Sequence, residues 1–194
     1  NDRALDDYVA AFNQIYDHVD YVVINLSCPN IKNLNELQDK DHTIRILDRL
    51  TALRKEKLRR KPILLKISPD LTTEQLDDAI DIFYVTGIDG IIATNTTITR
   101  ENLNTSSEKV EEIGSGGLSG APLKEKSTRI IRYLHKKSKG EIPIIGVGGI
   151  MSEQDALEKL DAGATLVQIY TGFIYNGPGF VKKINKEILR RTTG

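Results

Sequence analysis

The sequence has little cysteine, no excess charge of either sign, no long apolar run and no starting methionine. A single cysteine, Cys28, in 194 residues excludes an internal disulfide. It also fits a reducing, cytoplasmic compartment. Lys plus Arg and Asp plus Glu both number 27, so the formal net charge is zero. Nucleic acids and anionic membranes both demand a cationic excess, so neither is expected as the main partner. No apolar run approaches the roughly 18–20 residues of a membrane span, and no signal peptide is recognisable. The chain opens on Asn1-Asp2-Arg3 and runs almost at once into a helical pattern, which reads as a piece of something longer. What is present is 39% hydrophobic residues, enough for a packed core and too many for global disorder. At roughly 100–200 residues per domain, one domain is expected, spanning 1–194.

Helical and strand periods alternate along the chain. Leu5, Tyr8, Val9, Phe12 and Ile15 fall at helical spacing. Tyr21 to Ile24 is a continuous apolar run, as expected of a strand buried on both faces. Ile46, Leu47, Leu50 and Leu53 mark a second helix, ending in the basic stretch Arg54 to Lys61, which reads as a solvated helix end. Ile63 to Ile67 is a second strand with Lys66 near its end. Thr72 and Gln75 have capping-box spacing before a third helix, which Gly87 ends. Ile88 to Ala93 is a third strand. From Thr94 to Gly120 the chain is polar and glycine-rich, and a loop that long is usually functional; a helix follows, with Pro122 suited to its first turn and Ile130, Ile131 and Leu134 as its apolar face. Further strands are expected at Pro143 to Val147 and Thr165 to Tyr170. They are separated by a helix that Ser152 can cap and followed by one carrying Phe180, Ile184 and Ile188.

Five strands each followed by a helix imply a parallel α/β sheet with right-handed crossovers. Two architectures fit: a doubly wound open sheet, or a (β/α)8 barrel. A whole barrel needs about 250 residues, so a barrel here is truncated at its N-terminus.

In either architecture ligands sit at the carboxyl ends of the strands. Those ends carry Asn25 to Asn30, Lys66, Thr94-Asn95-Thr96, Gly146-Val147-Gly148-Gly149 and Tyr170-Thr171-Gly172. The two glycine-bearing ends suit a phosphate, because backbone N–H groups can approach an anion closely where no side chain intervenes; ordinary turns are the alternative. A dinucleotide fingerprint is excluded, because Gly146 to Met151 lacks the final glycine of G-x-G-x-x-G. Lys66, on a buried strand, should face a ligand or a carboxylate such as Asp70. Asn25, Asn30 and Asn95 can each donate and accept, which suits a planar heterocycle; singly, each is also a common turn or cap residue. Cys28, in the loop after the first strand, has a thiol whose ordinary pKa near 8.5 can be tuned for use as a base. His18, His42 and His135 lie away from the strand ends, so neither a Cys–His dyad nor a metal site is expected.

Taken in order, Asn25-Leu26-Ser27-Cys28-Pro29-Asn30, Lys66-Ile67-Ser68-Pro69-Asp70-Leu71, Thr94-Asn95-Thr96-Thr97, Ser115-Gly116-Gly117-Leu118-Ser119-Gly120, Gly146-Val147-Gly148-Gly149 and Tyr170-Thr171-Gly172 resemble the dihydroorotate dehydrogenase family. The resemblance runs over essentially the whole chain. It implies an FMN-dependent (β/α)8 barrel, here strands 4 to 8, that oxidises dihydroorotate to orotate in pyrimidine biosynthesis. It implies that Asn25, Asn30, Asn95 and Thr96 hold the orotate ring, with Asn25 also touching FMN. Lys66 would stabilise the anionic reduced flavin. Thr94, Ser119, Gly120 and Val147 would line the cofactor, and Gly148, Gly149, Tyr170, Thr171 and Gly172 would bind its phosphate. Cys28 takes the position of the base that removes the C5 proton while hydride leaves C6.

The family divides into soluble class 1 enzymes, usually with a cysteine base, and membrane-associated class 2 enzymes, usually with serine. Leu37-Gln38, the long loop to Gly120 and Ser152 to Leu157 are similar to class 2, whereas Cys28 is similar to class 1. We read the chain as class 2-like with an exchanged base. Quinone is then the expected acceptor, and the full-length protein is expected to be cytoplasmic and peripheral on the inner membrane. The alternatives are a class 1 type enzyme using fumarate or NAD, and a non-flavin barrel enzyme acting on a phosphorylated substrate. The truncated barrel by itself is expected to be inactive and to self-associate through its open strand edges.

Overall fold

The structure, a computed structural model, describes residues 2–25, 40–101 and 103–193. Its elements are α1 (Asp2–Ile15), β1 (Val22–Asn25), α2 (Lys40–Lys55), β2 (Ile63–Ile67), α3 (Thr73–Thr86), β3 (Gly90–Ala93), α4 (Ser107–Ile113), α5 (Lys124–Lys137), β4 (Ile144–Val147), α6 (Glu153–Asp161), β5 (Leu166–Gln168), α7 (Thr171–Asn176) and α8 (Gly179–Thr193). Short 3-10 turns follow α1 and precede α5.

All five strands are parallel and lie in sequence order, β1-β2-β3-β4-β5. A doubly wound sheet reverses its strand order part-way across. This one does not. Successive long helices also pack on one another, α1 on α2, α2 on α3, α3 on α5, α5 on α6 and α6 on α8, as a single layer. A sequential parallel sheet inside one layer of helices is part of a (β/α)8 barrel, and the open-sheet alternative falls.

Registers sort the strand residues into two faces. Val22, Ile24, Ile63, Leu65, Ile67, Ile91, Ala93 and Ile144 are buried in one core with the helices, among them Ile46, Leu47, Leu50, Ile131 and Leu134. The opposite face carries Val23, Leu64 and Gly90 in one row and Asn25, Lys66, Ile92, Ile145 and Leu166 in the next. In a closed barrel that face is the interior. Here Leu166 is 60% exposed.

Local chemistry fixes the helix ends. Thr72 and Gln75 form the expected capping box, and Gly87 closes α3 in the left-handed conformation. Ser152 caps α6, with Asp155 as its reciprocal partner. Three expectations change. Tyr16, not Ile15, completes the buried stripe of α1, because the chain turns there and the Tyr16 hydroxyl donates to the Arg59 carbonyl at 2.9 Å. The long polar segment after β3 contains α4, capped by Ser106. The basic stretch that begins in the last turn of α2 is not wholly solvated: Arg54 is buried, paired with Asp89 and bonded to the Gly87 carbonyl at 3.1 Å. No described helix is long and apolar enough to cross a membrane.

Candidate functional site

The carboxyl ends of β2 to β5 converge on one cleft of about 210 Å³. From β2 comes Lys66, on the barrel-interior face. Burial pushes its ammonium below the ordinary lysine value. From β3 come Thr94, Asn95 and Thr96; the Thr94 N–H donates to the Val147 carbonyl and the Asn95 N–H to the Ile67 carbonyl, each at 2.8 Å. The segment thus continues the ladder beyond the last paired strand residue. Asn25 is the register partner of Lys66, and Asn95 Nδ2 donates to Asn25 Oδ1 at 3.5 Å. Two amides and a lysine therefore lie at one rim, and Thr96 lines the same cleft.

The opposite wall is built from glycine-bearing loops. Gly148 and Gly149 follow β4 and press against the start of α5. Gly149 has φ +72°, and a Cβ there would lie 2.3 Å from Lys124 Cα, so only glycine lets this backbone line the cleft. The Lys124 ammonium pairs with Asp155 at 2.7 Å and Glu158 at 3.1 Å. Asp155 Oδ2 in turn accepts from the N–H groups of Met151 and Ser152, each at 2.9 Å. Burial works to raise the Asp155 carboxyl, and the bonds from Lys124, Met151 and Ser152 outweigh it, leaving it below the usual range. The glycine loop is thereby tied to two helices. Thr171 Oγ1 donates to Ser119 Oγ at 2.9 Å, which joins the Ser119-Gly120 segment to the loop after β5. Tyr170 and Gly172 line the same wall.

The structure thus brings Lys66, Thr94, Asn95, Thr96, Ser119, Gly120, Val147, Gly148, Gly149, Tyr170, Thr171 and Gly172 to a single cleft, with Asn25 at its rim. Cys28 and Asn30 lie outside the described residues, as does Leu37-Gln38. The cleft also uses Leu123, Ile150, Met151, Gln168 and Ile169, which sequence reasoning did not single out. Gln168 was findable: it stands two residues after Leu166 near the end of β5, on the same face of the strand. Asp70 is not the partner of Lys66. Its carboxylate is taken by Lys126, Thr97, Ile98 and Thr99.

Chemically, one half of the cleft offers amide and hydroxyl groups that can edge-bond a planar heterocycle, with a cation beside them. The other half offers backbone N–H groups and hydroxyls suited to a phosphate.

Known proteins resemble this chain in sequence and in fold. The family model for dihydroorotate dehydrogenase matches residues 1–192. A protein of Christiangramia forsetii named dihydroorotate dehydrogenase (quinone) is 54% identical over 191 residues, covering 98% of this chain and 55% of that protein. A protein of the same name from Thermosynechococcus vestitus is 45% identical over 192 residues, covering 96% of this chain and 51% of that protein. The crystal structure of ligand-free type DHODH from Eimeria tenella superposes with a TM-score of 0.88 at 36% identity, over 98% of this chain and 57% of that one. The chain spans about half the length of the curated relatives it matches.

Proposed function

Because the chain belongs to the dihydroorotate dehydrogenase family, we propose that the whole protein oxidises dihydroorotate to orotate in pyrimidine biosynthesis, with FMN as cofactor and a quinone as final acceptor. The observation that carries this reading is the convergence of Lys66, Asn95, Thr96, Gly148, Gly149 and Thr171 on one cleft at the carboxyl ends of the strands. In this reading the five strands are strands 4 to 8 of the barrel. The whole protein is then cytoplasmic, and peripheral on the inner membrane as its class 2-like features imply.

The residues present fit FMN. A methyl group at Gly149 would collide with the Lys124 backbone, so glycine is what lets this loop pack on the start of α5 and line the cleft, where a phosphate would meet it. Gly148, Gly149, Tyr170, Thr171 and Gly172 would hold that phosphate. Thr94, Ser119, Gly120 and Val147 would line the remainder of the cofactor. FMN, when bound, supplies the acceptor for the hydride that leaves C6 of the substrate. Lys66 contributes positive charge to the same cleft, and an anion there would offset the cost of burying its ammonium. Asn25, Asn30, Asn95 and Thr96 bond the N–H and C=O edges of the substrate and hold it in place. Cys28, as thiolate, takes the C5 proton, and the C5–C6 bond becomes a double bond as the hydride departs.

The test uses protein of full family length. It is expected to purify with flavin absorbance and to form orotate from dihydroorotate with a quinone faster than with fumarate or NAD. A flavin-free protein inert toward dihydroorotate overturns the reading. A flavoprotein that prefers fumarate or NAD keeps the reaction and replaces the acceptor.

A further inference from the structure

The segment carrying Asn95 and Thr96 runs on from β3, and a bridge between Thr97 and Leu118 follows it. One carboxylate organises it. Asp70, at the corner between β2 and α3, accepts from Thr97 Oγ1 at 2.5 Å, from the Ile98 N–H at 2.9 Å and from Thr99 Oγ1 at 3.4 Å. Lys126, in the first turn of α5, pairs with the same carboxylate oxygen and donates to Thr99 Oγ1 at 3.2 Å. The two side chains are 21% and 29% exposed, and neither lines the cleft. Burial works to raise the Asp70 carboxyl and is outweighed by Lys126, Thr97 and Ile98, which keep it ionised below the ordinary range. Arg100 adds bonds to the carbonyls of Thr97 at 3.2 Å, Thr99 at 3.3 Å and Gly116. On the other side Gly117 lies against Thr96, where a Cβ would fall 1.9 Å from Thr96 Oγ1.

The segment has its position and its orientation fixed by charge-assisted bonds from two other parts of the fold, the β2–α3 corner and α5, and by Arg100 of the segment itself, beginning one residue beyond Thr96. Groups that must meet a substrate within about 0.5 Å need support of that kind.

We propose that Asp70 and Lys126 are positioning residues for the substrate half of the site, holding Asn95 and Thr96 in register with the heterocycle without touching it. That role rests on the function proposed above. It extends that reading to a pair of residues outside the cleft.

The experiment compares Asp70→Asn, Thr97→Val and Thr97→Ser in protein of full family length. Thr97→Val keeps the shape of a buried side chain and removes its donation to Asp70, so it decides the matter even where Asp70→Asn does not fold. For Asp70→Asn and Thr97→Val, kcat/KM for dihydroorotate is expected to fall about 10–100-fold. Orotate affinity measured by calorimetry should fall with it. Bound flavin per chain and the rate of flavin reoxidation by quinone should stay at the wild-type level, and Thr97→Ser should restore the parental values. Wild-type kcat/KM and orotate affinity in Thr97→Val overturn the proposal. So does an equal loss in both half-reactions accompanied by loss of flavin, which marks a merely structural role. Unsubstituted protein without flavin or without activity on dihydroorotate removes the functional reading first, before any variant is compared.

Discussion

At the scale of single residues, Gly149 is the tightest constraint on the candidate phosphate loop. Its φ of +72° is one that side-chain-bearing residues adopt only at a cost, and the atom that a methyl group would strike is backbone, which cannot swing aside. Gly149→Ala is therefore expected to cost about 2–4 kcal/mol in strain and overpacking. The loss should appear as purified protein with little bound FMN. Wild-type flavin content in that variant would show that the loop does not hold the cofactor. Cys28 carries the second prediction at this scale. A thiol ionises near 8.5 and a serine hydroxyl far higher, so Cys28→Ser should move the pH–rate profile of dihydroorotate oxidation to higher pH. An unchanged profile removes Cys28 from the role of base. Residues such as Lys66 and Gly148-Gly149 are legible in the sequence for one reason. A buried strand gives an obvious end, and a lysine or paired glycines at that end have few structural uses. Leu123 and Ile150 are not legible, because an apolar residue in a cleft wall has the same sequence signature as one in the core.

At the scale of elements, the longest-range polar contacts are the ones that periodicity cannot show. Arg54 reads as the first residue of a solvated basic run. It is 7% exposed, because Asp89, 35 residues away, waits at the start of β3. Asp89 also accepts from the Ile63 N–H at 2.8 Å, so one carboxylate joins α2, β2 and β3. Asp89→Ala would leave the Arg54 charge buried without its partner and is expected to cost about 3–5 kcal/mol, read as a lowered urea midpoint. A midpoint within error of wild type would mean that the pair contributes nothing. Lys126 is hidden in the same way, 56 residues from Asp70. Lys159 on α6 is hidden too. Fully buried, it donates to the Lys124 carbonyl at 2.8 Å and to Thr128 Oγ1 at 2.6 Å, and burial pushes its ammonium down to about 8 from 10.5. Between those values the unfolded chain binds more protons than the folded one. The contribution of Lys159 to stability therefore rises as pH increases from about 8 to 10.5. Lys159→Met should abolish that rise in urea midpoints measured on either side of the window. A rise that persists in the variant assigns it to another group.

At the scale of the whole molecule, the fold class is legible because alternating strand and helix periods leave few parallel topologies. Periodicity alone does not choose between an open sheet and a barrel; the strand-end motifs imply the barrel by resemblance, and the strand order supports it. That order leaves two unpaired edges among the described residues, β1 on one side and β5 on the other. It also leaves the interior face uncovered next to β5. Leu166 is 60% exposed there, and Tyr170, Ile174 and Tyr175 beyond it are 78%, 67% and 78% exposed. In a closed barrel, further strands would pair these edges and bury those side chains. A parallel edge with apolar neighbours and no such cover offers a template for another chain. The 194-residue chain by itself is therefore expected to run as a dimer or larger species in size-exclusion chromatography with light scattering, without FMN and without turnover. Leu166→Lys, which places a charge on that edge, should shift the distribution toward monomer, because lysine on an edge strand resists pairing. The same residue in protein of full family length would be buried, and Leu166→Lys there should lower stability by about 2–5 kcal/mol, the scale of losing a buried leucine. Opposite effects of one substitution in the two contexts would identify β5 as the closing edge of the barrel. An FMN-loaded, active monomer of the 194-residue chain would show instead that five strands suffice.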